Sequence, residues 1–145
     1  MSGRNAPRLG PTYQTEWRLS MRKVKQSDVE VYLRDCSLEA VVAWVKSHLG
    51  PLDGPIEADK TIVFYPRIGS VVITPNIEGG PFLSLWFNTV ARPWATDVDC
   101  ARVASRELSC VVRCDPGESF PNVPRLSSVL LEISNGSERL VSLEE

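Results

Sequence analysis

The chain has 145 residues, of which 43% are hydrophobic and 23% charged, and its net charge is −2. This length suits one domain with a substantial core, and the composition is typical of a soluble globular protein. No apolar run approaches the roughly 20 residues that span a bilayer, and residues 1–11 lack the apolar segment of a secretory signal. We therefore expect a cytoplasmic protein with no membrane contact.

The charge is unevenly distributed along the sequence. Residues 1–25 contain six basic side chains and one acidic one, a net charge of +5, whereas the remainder contains ten basic and seventeen acidic ones, a net charge of −7. A nucleic-acid-binding domain is usually basic throughout, so nucleic acid is not expected as a partner. The acidic remainder favours a basic protein partner, although an acidic surface that only maintains solubility is the alternative.

The first predicted elements are a tail and a β-hairpin. Residues 1–12 are rich in Gly and Pro and are expected to be disordered. Apolar and polar residues then alternate over residues 16–24 and again over residues 28–36, which predicts two paired strands. A helix beginning at Ser27 is the alternative for the second segment.

A helix and a loop follow the hairpin. Ser37 is a good N-cap for a helix over residues 38–49, because its hydroxyl can accept a hydrogen bond from the first turn. Gly50 is expected to end this helix. Residues 50–59 contain two Gly-Pro pairs, at 50–51 and 54–55, and are predicted to be a loop.

Three strands are predicted next, over residues 61–66, 70–75 and 81–90. The last of these is apolar on both faces, which indicates a central strand with something packed on each side. Thr96 is the predicted N-cap of a second helix, with Asp99 completing a short capping box.

The C-terminal part is predicted to be all strand. Residues 110–114 form a short strand, and residues 128–133 and 138–144 form a closing hairpin around the Asn135-Gly136 turn. The whole pattern predicts an α+β fold in which a largely antiparallel sheet of about six to eight strands carries two helices. Residues 13–145 are expected to form a single domain.

The four cysteines do not have the spacing of a metal site. Cys110 and Cys114 would lie about 13 Å apart in a strand, too far for one metal ion or a disulfide. We expect four reduced thiols that are mostly buried, with no metal and no cofactor. The thiolate of Cys36 could be activated by the helix that follows it.

No catalytic motif is present in the sequence. There is no G-x-S-x-G, no H-E-x-x-H and no phosphate-binding glycine loop, so no catalytic residues are assigned and a non-enzymatic protein is expected. The alternative is an enzyme or small-ligand protein with a pocket between the sheet and the second helix. The residues that would then serve it are Cys36, His48, Asp97 and Cys100.

The segments VEVYLRDCSLEAVVAWVKSHLG, PWATDVDCARVASRELSCVVRCDPG and ISNGSERLVSLEE resemble those of small, stand-alone bacterial α+β proteins of the toxin-immunity type. This resemblance implies an acidic, cytoplasmic antitoxin that neutralises a cognate toxin by occluding its active site. The basic N-terminal segment does not fit a uniformly acidic inhibitor.

Candidate partner-binding residues are those expected to be exposed near the second helix or in the long loop. They are Trp94, Asp97, Asp99, Asp115, Glu118, Glu57 and Asp59. Trp94 could anchor a partner if exposed, or it could pack onto Val98 as a hydrophobic staple. A secretion chaperone or adaptor is a further hypothesis, and the closing hairpin offers an edge strand for a homodimer.

Overall fold

The structure is a computed structural model that describes residues 28–124 and 127–143. Within these ranges the chain forms eight β-strands and two α-helices, and every strand pair is antiparallel. This confirms the predicted α+β class and the antiparallel sheet. The predicted tail over residues 1–12 and the predicted strand over residues 16–24 lie outside the described residues.

The elements occur in the order β-α-β-β-β-β-α-β-β-β. The strands and helices have these bounds: β1 Val29–Arg34, α1 Leu38–Leu49, β2 Asp53–Ala58, β3 Thr61–Tyr65, β4 Ser70–Thr74, β5 Leu83–Asn88, α2 Asp97–Leu108, β6 Val111–Cys114, β7 Val129–Ser134 and β8 Ser137–Ser142.

The sheet has the strand order β2-β3-β4-β5-β1-β6-β7-β8, so the first described strand lies in its interior. Helix α1 connects β1 to the edge strand β2, and α2 connects β5 to β6 across β1. Both connections are long because each joins strands that are not neighbours.

Strand β2 is an element that the sequence pattern did not reveal. Residues 50–59 were predicted to be a loop, and that prediction is wrong for Asp53–Ala58, which pairs with β3. All six residues are exposed, so no apolar alternation indicates a strand. The pairing depends on backbone hydrogen bonds alone, and Pro55 falls at a register shift between Asp53 and Ile56, where a missing N–H is tolerated.

Both predicted helix starts are confirmed. The Ser37 side chain accepts a 3.1 Å hydrogen bond from the backbone N–H of Ala40, and the Thr96 side chain accepts one of the same length from Asp99. Each cap satisfies one of the donors that a helix leaves unpaired in its first turn. Gly50 ends α1 with a positive φ of 86°, as expected for a glycine at this position.

One face of the sheet carries the core. Val29, Val31 and Leu33 of β1 are buried on this face with Leu85 and Phe87 of β5, under the buried residues of the two helices. Because strand side chains alternate, the residues between them point to the opposite face. We call that opposite side the open face, because no helix among the described residues covers it.

Strand β5 was predicted to be a central strand covered on both faces, and its central position is confirmed. It lies between β4 and β1 in the interior of the sheet, with the helices on one side. On the open face, Ser84 is buried and Trp86 is half-buried, and they donate hydrogen bonds to Glu30 and Asp28 respectively. Neither of the two helices is long and apolar enough to cross a bilayer.

Candidate functional site

The open face contains a groove with a volume of about 970 Å³. Its floor is formed by Glu30 and Tyr32 of β1, Ser84 of β5 and Arg113 of β6, and Phe82 lies at the start of β5. The loop over residues 75–80 forms one wall. These side chains meet because β1, β5 and β6 are neighbours and the residues occupy alternate positions along them.

Glu30 organises the polar part of the groove. The Ser84 hydroxyl donates a hydrogen bond to Glu30 Oε2, and Tyr32 lies two residues from Glu30 on the same face of β1. Burial and the negative charge of Glu30 raise the pKa of Tyr32 to about 12. Tyr32 is therefore a neutral hydrogen-bond donor at physiological pH rather than a base.

Two arginines flank the aromatic ring of Phe82. The guanidinium carbon of Arg113 lies 4.6 Å from the ring centroid, and that of Arg34 lies 5.4 Å from it. Both distances are within the range of cation–π attraction. These contacts hold two cations against one ring, itself only 9% exposed, at the end of the sheet where β1 finishes and β5 begins.

A buried carboxylate fixes Arg113 from the other side. Glu132 is 6% exposed, and its two oxygens accept hydrogen bonds from Arg113 Nε at 2.8 Å and from Arg139 Nη2 at 2.9 Å. Burial alone would raise the pKa of Glu132, but the hydrogen bonds from the two arginines outweigh burial and hold that pKa below its usual value. Arg113 is therefore held between a carboxylate and an aromatic ring.

The wall over residues 75–80 has an unusual backbone. Asn76, Glu78 and Gly79 have φ values of 50°, 52° and 73°, a region that residues other than glycine rarely adopt. The loop is closed by hydrogen bonds from Ile77 N to the carbonyl oxygen of Phe82 (2.9 Å) and from the Asn76 side chain to that of Gly80 (3.3 Å). Such backbone strain often occurs at binding sites.

The chemistry of this groove suits recognition. Glu30 accepts a hydrogen bond from Ser84, and Arg113 is held by an ion pair with Glu132. Groups fixed in this way can present polar contacts to a ligand without reorganising. Among the described residues, no three His, Cys, Asp or Glu side chains are grouped so as to hold a metal ion.

Trp94 is not an exposed anchor. It is only 4% exposed, stacks on Trp44 with a centroid distance of 5.0 Å and an interplanar angle of 16°, and contacts Phe87. The expectation that this side chain is available to a partner is therefore wrong. The sequence around Trp94 does not distinguish an exposed side chain from a buried one, because the residues that cover it belong to α1 and β5, which are distant in the sequence.

The acidic candidates near α2 differ from one another. Asp97 is half-buried and accepts a 3.0 Å hydrogen bond from the backbone N–H of Glu30. Burial, which the nearby carboxylates of Asp115 and Asp28 reinforce, raises the pKa of Asp97 to about 7. Asp99 and Asp115 are exposed as expected. Glu118 lies in a single 3₁₀ turn, and its side chain is outside what is described.

Glu57 and Asp59 are exposed, as expected, but lie far from the other acids. Glu57 is on β2, whereas Asp115 follows β6, and five strand spacings separate these two strands in the sheet. At about 4.8 Å per spacing, the separation is about 24 Å. The predicted acidic surface is therefore two separate patches.

The four residues named for an enzyme do not line the groove. His48 Nε2 lies 2.8 Å from Glu107 Oε1, an oxygen that also accepts a hydrogen bond from Trp44 Nε1. Cys100 is fully buried in the core. His48 thus serves the contact between α1 and α2.

The predicted burial of the cysteines is confirmed, since Cys100, Cys110 and Cys114 are buried free thiols. The alternative of a Cys36 thiolate activated by the following helix gains no support. Burial raises the pKa of its thiol, and the neighbouring Cys110 thiol offsets only part of that effect.

The groove residues were missed by sequence reasoning. Glu30 and Tyr32 are on the polar side of the alternation over residues 28–36, a side that usually faces water, and Ser84 lies in a segment predicted to be covered on both faces. No pattern indicated that three strands would bring these residues together. None of the known protein families, curated proteins or solved structures compared with this chain matches it.

Proposed function

We propose that this protein is a non-enzymatic binding module that recognises a protein partner through the open face. The observation that carries the proposal is the pair of arginines, Arg34 and Arg113, which the buried Phe82 ring holds by cation–π contacts beside the groove, next to Tyr32. Aromatic residues and arginine are enriched where protein interfaces are most tightly packed and contribute most of the binding energy.

The more specific proposal is that the partner is a protein toxin, which this chain neutralises in the cytoplasm by covering the toxin's active site. The net charge of −7 beyond residue 25 supports this, since it favours association with a basic protein. The exposed acids Asp99 and Asp115 lie on one patch and Glu57 and Asp59 on another, so they would steer the approach rather than form the contact.

The test is a tagged pull-down from the native cells at high salt, with mass spectrometry of the retained proteins, followed by affinity measurements on variants. Arg34 is suitable because its side chain is 37% exposed and its ion pair is with the exposed Asp35. We expect Arg34→Ala to weaken binding at least tenfold, about 1.4 kcal/mol. Arg67→Ala, an exposed arginine in the turn between β3 and β4, is the matched control.

An equal effect of the two substitutions, or no retained partner, would refute recognition through this face. For the toxin proposal, co-expression of the partner and this chain should restore the growth of cells that the partner alone arrests. If the retained partner does not impair growth, the antitoxin proposal is refuted and only the proposal of a binding module stands.

A small-molecule ligand is the second candidate function. The groove volume of about 970 Å³ is in the range of ligand pockets, and its polar groups converge on one region near Glu30. Native mass spectrometry of the protein purified from its own cells should then reveal a bound compound that Ser84→Ala releases. Protein of unmodified mass under mild ionisation would exclude a tightly held ligand.

A further inference from the structure

We propose that Cys36 and Cys110 are a redox-sensitive thiol pair that forms a reversible disulfide when the protein meets a hydroperoxide. The proposal is independent of the partner-binding function. Arg34 of β1 pairs with Val111 of β6, so Cys36, two residues after Arg34, and Cys110, one residue before Val111, emerge at the same end of the sheet. Both side chains lie at this end of the hydrophobic core, Cys110 within the buried cluster and Cys36 packed against it, and each thiol affects the pKa of the other.

The backbone brings both cysteines to this position. Cys36 follows Asp35 (φ 65°) and Cys110 follows Ser109 (φ 53°), so each comes directly after a left-handed residue where the chain changes direction. Cys36 joins β1 to the capped start of α1, and Cys110 joins the end of α2 to β6. A disulfide would therefore link the two helix–strand junctions and close a long loop.

The two thiols differ in access, which sets the order of the reaction. Cys36 is half-buried, whereas Cys110 is only 5% exposed. The Cys36 thiolate attacks one peroxide oxygen, so an S–O bond forms, the O–O bond breaks and the leaving hydroxide takes up a proton to become water. The Cys110 sulfur then attacks the sulfur of Cys36, the S–O bond breaks, and the second hydroxide leaves as water with the proton of Cys110. Two thiols lose two electrons and two protons, and one hydrogen peroxide gives two waters.

The remaining two cysteines provide an internal comparison. Cys100 and Cys114 are both fully buried in the core between α2 and the sheet. A peroxide cannot reach them without opening the core, so they should stay reduced while the pair at the sheet end oxidises. Burial raises the pKa of the thiols of Cys36 and Cys110, the latter to about 12, so the oxidation should be faster at pH 9 than at pH 7.

The experiment treats the full-length protein with hydrogen peroxide at pH 8, alkylates the remaining thiols under denaturing conditions and identifies the products by peptide mass mapping. We expect a loss of two hydrogens, about 2 Da, in a peptide pair joined through Cys36 and Cys110, and its complete reversal by dithiothreitol. Cys100 and Cys114 should carry the alkyl label.

Substitution separates this pairing from other oxidation products. Cys36→Ser should abolish the disulfide and Cys114→Ala should leave it unchanged. The peptide map of the unsubstituted protein remains decisive even if a variant folds poorly. Oxidation of Cys36 to a sulfinic acid with Cys110 still reduced, a disulfide between two chains, or a bond that involves Cys100 would each overturn the proposal.

Discussion

Asp97 shows how one residue combines a structural role with an electrostatic cost. Its carboxylate accepts a hydrogen bond from the backbone N–H of Glu30, which comes two residues before Tyr32, the first residue of β1 that pairs with β6. The same position removes it from water and places it near the carboxylates of Asp28 and Asp115. The hydrogen bond favours the ionised form, but burial and the neighbouring charges outweigh it.

The raised pKa of Asp97 predicts a specific dependence of stability on pH. Its folded-state pKa of about 7 exceeds the ordinary value of 3.8, so the folded state binds this proton more tightly than the unfolded state does. The contribution of Asp97 to stability is therefore fully present below about pH 4 and is lost as the pH rises to about 7. Asp97→Asn keeps an acceptor oxygen without the charge and should remove this loss. Urea unfolding at pH 5 and pH 8 measures it.

The control for this prediction lies two residues away. Asp99 is exposed on the same turn of α2, so Asp99→Asn should retain the pH dependence of the unsubstituted protein. If the free energy of unfolding changes equally with pH in Asp97→Asn and in the unsubstituted protein, the pKa of Asp97 is not raised in the folded state.

Two glycines with the same φ predict different costs of substitution. Gly69 and Gly136 both have a φ of 81°, which costs a residue with a side chain about 1 kcal/mol. A Cβ on Gly69 would lie 2.4 Å from the backbone oxygen of Asn88, whereas one on Gly136 would meet nothing within 4 Å. Gly69→Ala should therefore lower the free energy of unfolding by about 3 kcal/mol or more, and Gly136→Ala by about 1 kcal/mol. An equal loss of unfolding free energy in the two variants, measured by urea denaturation, would mean that the backbone near Asn88 moves to accommodate the added Cβ.

At the scale of the element, α2 begins by the mechanism that its sequence predicts. Thr96 caps the helix, and Asp97 and Asp99 place negative charge near the positive end of its dipole. Thr96→Ala should lower the free energy of unfolding by about 1 kcal/mol, because the N–H of Asp99 loses its acceptor. Thr96→Ser retains the hydroxyl and should behave nearly as the unsubstituted protein in thermal unfolding. A similar loss in both variants would assign the effect to packing of the threonine methyl group.

The two helices are joined at their C-terminal ends by one carboxylate. Glu107 of α2 accepts the indole N–H of Trp44 and contacts the imidazole of His48, both on α1, and Trp94 stacks against the same indole. Two rings of α1 and the ring of Trp94, from the segment before α2, therefore lie together. It gives His48 and Trp94 roles within the helical layer rather than at a binding surface.

At the scale of the whole molecule, the order of the strands predicts a gradient of stability. Strands β1 and β5 lie in the interior of the sheet and contribute Val29, Val31 and Phe87 to the core, whereas β2 and β8 are edge strands that are almost entirely exposed. Native-state hydrogen exchange should show the slowest exchange in β1 and β5 and the fastest in β2 and β8. Slow exchange throughout β2 would indicate that something protects that edge.

The two faces of the sheet carry different kinds of side chain. The helical face holds the main hydrophobic core, while the open face holds the ion pairs of Glu132 and the groove that contains Glu30. Ion pairs are not confined to the open face, because Arg102 of α2 pairs with Glu138 of β8 on the helical side. The two acidic patches lie outside the groove.

The sequence by itself determined most of the secondary structure, because the signals were local. Ser37 and Thr96 mark the starts of the two helices, and residues alternate along β1. Asn135 and Gly136 both have positive φ in the turn that joins β7 to β8, as the predicted hairpin requires. Each signal depends on residues within one turn or one strand.

Only the tertiary structure decided the position of β2, the burial of Trp94 and the composition of the groove. Strand β2 is made by backbone pairing that needs no apolar pattern, and Trp94 is covered by side chains that arrive from α1 and β5. The groove combines Glu30, Ser84 and Arg113, which become neighbours through the order of the strands. Alternation along a strand assigns each side chain to one of two faces, but the strand order decides which residues lie side by side and the long connections decide which face the helices cover.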